Sequence, residues 1–169
     1  MEENARLADR SAIHDTLMRY FRGLDRADWD EVRSCFHDDA RLDYGDFFQG
    51  DLDGLIDFLR SPSGVAGYAR TMHFAGNELV GFDEEEDVAR TETYCIAHHE
   101  PLPGHEWEGS FVVLWVRYLD RFELRDSRWL SASRRFVVEW MRRDTGGGWQ
   151  ELPPQMRGRR DTSDALYAL

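Results

Sequence analysis

The chain has 169 residues, 41% of them hydrophobic and 32% charged, with a formal net charge of −12. That length suits one domain with a sizeable core, and the composition is globular, with no collagen-like or disordered bias. A field of that sign repels phosphate backbones and anionic lipid, which argues against nucleic acid and membrane surfaces as partners. All 21 basic residues are arginine, so lysine Schiff-base chemistry is excluded. Cys35 and Cys95 have no CxxC spacing and read as small buried hydrophobes in a reducing compartment. The acidic start and the lack of any long apolar run lead us to expect a cytoplasmic protein.

In chain order, Ile13, Leu17, Tyr20, Phe21 and Leu24 recur at helical spacing, with Asp9 as the expected N-cap. Asp25 continues the Leu17–Phe21 line, placing a carboxylate at the end of an apolar face. Asp28-Trp29-Asp30-Glu31 resembles a capping box, and Trp29, Val32 and Phe36 follow as the buried side of a second helix closed by His37-Asp38-Asp39. A short strand from Ala40 to Tyr44 precedes a third helix with Leu52, Leu55, Ile56 and Leu59. Pro62, Gly64 and Gly67 mark a loop. Strands are expected over Thr71–Phe82, Val88–His99, Ser110–Leu124 and Trp129–Trp140, with an acidic turn over Asp83–Asp87. Helices first and strands later argue an α+β fold. The pocket domain should span residues 1–141. Residues 142–169, with Gly146-Gly147-Gly148, Pro153-Pro154 and Arg157 to Arg160, form a polar tail that packs on the domain or on a neighbouring subunit.

Strand alternation exposes polar residues among apolar ones. One face of the last strand carries Leu130, Ala132, Arg134, Phe136, Val138 and Trp140. A buried guanidinium needs a partner. Arg134 is therefore either an anchor for a substrate oxygen or leaving anion, or half of a structural ion pair, for example with Asp25. Val112, Leu114, Val116 and Tyr118 alternate with Phe111, Val113 and Trp115. Both faces are apolar there, which hints at oligomerisation. Tyr94, Ile96 and His98 share one face of their strand, and Cys95, Ala97 and His99 the other; alternation does not choose between the histidines. Neighbouring strand histidines point opposite ways, so no metal site is expected. Around His73 the pattern has no clean alternation.

These pieces resemble the SnoaL-like branch of the nuclear-transport-factor-like superfamily. Ala12-Ile13-His14-Asp15 through Tyr20, Leu24-Asp25, Asp28-Trp29, Phe36-His37-Asp38-Asp39-Ala40, Phe48-Gln49-Gly50, Met72-His73, Gly76-Asn77 and Arg117 to Phe122 before Trp129 carry the resemblance. It implies a cone-shaped α+β barrel: a strongly curved, mixed or antiparallel sheet with three N-terminal helices enclosing a pocket. Within that branch the site resembles those of hexachlorocyclohexane dehydrochlorinase, scytalone dehydratase and bile-acid dehydratase. The resemblance implies a His73–Asp25 dyad assisted by Tyr20, Arg134 and His98, the last favoured over His99. Tyr44 lies near a pocket tyrosine of the same pattern. With the inward strand positions Tyr94, Ile96, Leu114, Val116, Tyr118, Phe136 and Trp140, it completes the expected substrate pocket.

The function implied is a cofactor-independent, dehydratase-like lyase in which His73 takes a proton from a small apolar, aromatic or polycyclic substrate. An isomerase or polyketide cyclase with the same base, and a non-catalytic ligand-binding or partner-subunit domain, are the alternatives, since fold does not fix function. A homo-oligomer is expected, a trimer before a dimer.

Overall fold

The computed structural model describes residues 2–83, 87–145 and 152–168. Helix α1 spans Glu2–Arg26, longer than its apolar stripe, so Asp9 lies inside it and accepts a hydrogen bond from Trp129 Nε1 (2.9 Å). The stripe itself is buried from Ile13 to Leu24. Helix α2, Trp29–Arg33, is capped as its sequence demands: the Asp28 side chain accepts from the Glu31 amide (3.0 Å). It ends before Phe36, which opens strand β1, Phe36–Asp43, so His37-Asp38-Asp39 are extended and do not close a helix. Strand β2, Gln49–Gly50, pairs with β1, and helix α3, Leu52–Arg60, buries the four expected leucine and isoleucine side chains beneath an Asp51 cap. After the short turn Val65–Gly67 come β3 (Tyr68–Phe82), β4 (Val88–Pro101), β5 (Phe111–Arg125) and β6 (Arg128–Asp144). The β5–β6 hairpin turns on Asp126 and Ser127, both at positive φ, as a tight right-twisted connection requires.

The six strands form one mixed sheet in the order β2-β1-β6-β5-β4-β3, with β1 parallel to β6 and the other pairs antiparallel. Two expectations need correction. The sheet is open, with β2 and β3 as its edges, because the order of strands never returns to its start. Nor do the helices form one N-terminal run, since α3 follows β1 and β2. Helix α1 lies against the inner face, where its stripe joins Val116, Tyr118 and Phe122 of β5 in the core.

Bulges decide which side chains reach that face. In β6 the pairing steps from Trp115↔Trp140 to Val116↔Val138, leaving Glu139 as an extra residue. A second step, Arg121↔Ser133 to Phe122↔Ser131, leaves Ala132 extra. Each reverses the strand's parity. Strand β3 carries a similar irregularity between Ala75 and Glu78, at Gly76-Asn77. Part of the acidic turn (84–86) and the glycine run 146–148 lie outside the described residues. Among the described residues, no helix is long and apolar enough to cross a membrane.

Candidate active site

Asp25 stands one residue from the end of α1, beside the first half of β3. Its Oδ1 accepts from His73 Nδ1 (2.8 Å) and from the Thr71 hydroxyl (2.8 Å), and its Oδ2 accepts from the His73 backbone amide (3.0 Å). Thr71 and His73 are two apart on an edge strand, so both face inward, and the backbone donor that no further strand uses turns to the carboxylate. Burial alone would raise the Asp25 carboxyl. The His73 ring, its charge and amide, and the Thr71 hydroxyl outweigh that and hold it below the ordinary carboxylate value. An ionised carboxylate can only accept. Nδ1 of His73 therefore carries the proton in this contact, and in the neutral ring Nε2 keeps the lone pair. The His73 side chain is 4% exposed and stacks on Phe21 (centroids 6.1 Å).

The ring lines a cavity of about 100 Å³. Its walls are mostly apolar: Leu24, Phe47, Phe58, Leu59, Val65, Trp107, Leu114, Phe136 and Met141. The turn at its mouth needs glycine at 64 and 67, where a Cβ would overlap the Phe58 and Pro62 carbonyls. Polar atoms come from Ser63, Tyr20, Tyr44, Tyr68, Tyr118, His73 and His99; among the described residues no acidic side chain and no arginine lines it. Tyr20 and Tyr44 share a hydrogen bond (OH to OH, 2.8 Å), and burial raises both phenols, so they stay protonated donors.

His99 stands across from the dyad, its ring edge-on to His73 (5.6 Å) and tilted against Tyr68 (4.8 Å). Burial first, then the charge of His73, lowers it to about 3, so it is a neutral imidazole.

Several expected residues lie elsewhere. Strand β4 runs without a bulge against β5, and its inner face is Ala89, Thr91, Thr93, Cys95, Ala97 and His99. These small side chains fit under the large rings of α1 and β5. Tyr94, Ile96 and His98 therefore face outward: Tyr94 is 43% exposed, and His98 packs on Phe111 outside the cavity. Choosing His98 over His99 is thus corrected. The Glu139 bulge turns Trp140 outward onto Trp115 (5.8 Å), and Met141 takes the inward place. Val116 is core rather than cavity wall. Tyr20, Tyr44, Leu114, Tyr118 and Phe136 do meet at the cavity.

Arg134 is inward and buried, but its partner is Asp120, not Asp25: Nε to Oδ1 2.8 Å and Nη2 to Oδ2 3.1 Å. Burial alone would lower it; Asp120 reverses the sign and raises it. Its guanidinium lies 4.0 Å from the Tyr20 ring centroid, so it supports the cavity wall from behind. Sequence reasoning did not single out Thr71, Tyr68, Trp107 or Met141. Only Thr71 left a signal, its i, i+2 spacing to His73.

A larger groove of about 910 Å³ lies elsewhere, lined in part by Arg90, Arg121 and Arg135. These arginines are paired with Asp83, Glu123 and Asp43, and among the described residues no histidine lines the groove. It reads as a solvated ion-pair surface. Among the described residues, no group of three or more histidine, cysteine or acidic side chains is placed to hold a metal ion.

A profile of the SnoaL-like domain matches residues 5–135. The chain belongs to this SnoaL-like family. No curated protein matches it in sequence. Solved structures share the SnoaL-like fold at low identity. A hexachlorocyclohexane dehydrochlorinase, LinA type 2, is 20% identical with a TM-score of 0.75, over 91% of this chain and 99% of that one. The LinA type 3 enzyme of Novosphingobium barchaimii is 19% identical with a TM-score of 0.75, over 90% and 99%. A candidate scytalone dehydratase of Novosphingobium aromaticivorans is 18% identical with a TM-score of 0.72, over 92% and 99%.

Proposed function

We propose that this SnoaL-like chain is a cofactor-independent lyase, with His73 as general base and Asp25 as its orienting partner. The observation that carries the reading is the Asp25 carboxylate, fully engaged by Thr71 and both donors of His73, behind an apolar cavity lined by the same imidazole. The carboxylate fixes the tautomer and stabilises the imidazolium that forms. Nε2 takes a proton from carbon, the electron pair becomes a double bond, and the leaving group departs from the neighbouring carbon. One hydroxyl of the Tyr20–Tyr44 pair and the neutral His99 are donors suited to that group or to an enolate oxygen. With no charged wall, the cavity favours an uncharged substrate. At about 100 Å³ it is well below the roughly 300 Å³ of the smallest common ligand pockets, which favours a one-ring molecule over a polycyclic one.

The test begins with a thermal-stability screen of neutral one-ring candidates, hexachlorocyclohexane among them, against steroid-sized ones. Turnover of the best binder then decides. His73→Ala and Asp25→Asn should each abolish it while circular dichroism stays native; full activity in either variant sinks the proposal. One observation favours an isomerase as the second reading. Asp120 takes Nε and Nη2 of Arg134, and among the described residues no cationic side chain lines the cavity to meet a departing anion. Deuterium wash-in from solvent without loss of a group would select it.

The outer sheet face carries Met72, Phe74, Leu79 and Trp140, each 59–67% exposed. An apolar surface of that kind suits a partner. We take the partner to be further copies of this chain, as a trimer.

A further inference from the structure

The C-terminal segment lies beyond the family match, yet one of its side chains reaches the base of the dyad. Arg160 Nη1 donates to the carbonyls of Tyr68 (2.6 Å) and Val65 (3.2 Å), and its Nη2 donates to the carbonyl of Leu24 (2.9 Å). Leu24 immediately precedes Asp25 in α1. Val65 sits in the turn that lines the cavity. Tyr68 opens β3, the strand that presents Thr71 and His73. One guanidinium thus joins the three pieces of backbone that meet at the dyad. The segment is held there by Asp164, which is buried, accepts from the Arg159 amide (2.6 Å) and lies 3.9 Å from Arg26 Nε.

A tie at this place has physical work to do. Asp25 is in the last turn of a helix, where the backbone frays. His73 is on an edge strand held by β4 along one side only. Elsewhere along their contact, α1 and β3 are linked by Arg10 to the Val80 carbonyl (2.6 Å) and His14 to Glu78 (2.9 Å), both towards the far end of β3. Arginine suits the near end because its planar fork offers five donors in fixed directions, enough for three diverging carbonyls.

We infer that Arg160 is a positioning residue: the C-terminal strap uses its guanidinium to tie the end of α1 to the start of β3 and so sets the Asp25–His73 separation. This rests on the His73–Asp25 pair being the working pair, but its test needs no substrate. In the full-length protein, nuclear magnetic resonance follows exchange of the His73 backbone amide and the signal of its Nδ1 proton, in wild type, Arg160→Gln and Arg160→Lys. Gln keeps a planar donor but loses the fork; Lys keeps the charge. In Arg160→Gln the His73 amide should exchange about tenfold faster or more, the scale of one lost net hydrogen bond at the junction, and the Nδ1 proton signal should broaden. Amides of Val116 and Tyr118 in β5 should be unchanged, and Arg160→Lys should fall between.

His73 protection at the wild-type level in Arg160→Gln overturns the inference, as does an equal loss of protection in β5, which would mean general destabilisation. Should Arg160→Gln fail to fold, the same two criteria apply to Arg160→Lys. If instead Asp25→Asn keeps full turnover, the functional reading falls while this measurement still stands on its own.

Discussion

Acidifying the protein should expose the cost of keeping His99 neutral. Its folded value is lowered to about 3 from an ordinary 6.5, burial being the larger cause and the His73 charge the next. Below 6.5 the unfolded chain takes up a proton that the folded chain refuses, so stability falls as pH drops from about 6.5 towards 3. Between pH 7 and pH 5 the loss from this one group is about 2 kcal/mol. Because pH 5 lies well above the folded value, the amount is set by the unfolded imidazole. The assay is urea unfolding at both pH values for wild type and His99→Gln. Other groups that titrate in that window, His37 among them, act in both proteins and cancel in the difference. The variant should lose about 2 kcal/mol less than wild type. Equal losses in the two proteins would refute the reasoning.

Other substitutions probe the remaining parts. Thr71→Val deletes a donor to Asp25 and should cost about 1 kcal/mol in urea unfolding, with a smaller drop in turnover than Asp25→Asn. Asp120→Ala strands the buried Arg134 guanidinium and should cost about 3–5 kcal/mol, read as a shifted urea midpoint. Trp140→Glu places a charge on the exposed apolar face; light scattering should show a trimer in wild type and a smaller species in the variant.

Much of the fold was legible because its signals are local. The stripe from Ile13 to Leu24 is a buried helix face, and Asp28 and Asp51 cap the helices that follow them. Asp25 could be placed at the end of that face by counting alone. The sheet was harder. Parity is a running count, and each bulge resets it, so unbroken alternation places Trp140 inward while the extra Glu139 turns it out. The histidines failed for a different reason. Alternation leaves His98 and His99 open and the resemblance favours His98, but the inner row of β4 is alanine, threonine and cysteine ending in His99, while Tyr94, Ile96 and His98 face outward. His73 was unreadable by period because Met72, Phe74 and Leu79, outward and exposed, give β3 two apolar faces. The partner of Arg134 is a matter of register between β5 and β6, Asp120 opposite Arg134, which no single-strand pattern contains.

The hydrogen bond from the His73 amide to Asp25 also bears on the edge of the sheet. Strand β3 is the sheet's outer margin, and an open row of backbone donors there invites another chain to dock as a seventh strand. By occupying one of those donors midway along its first half, the carboxylate removes it from the row with which another chain could pair.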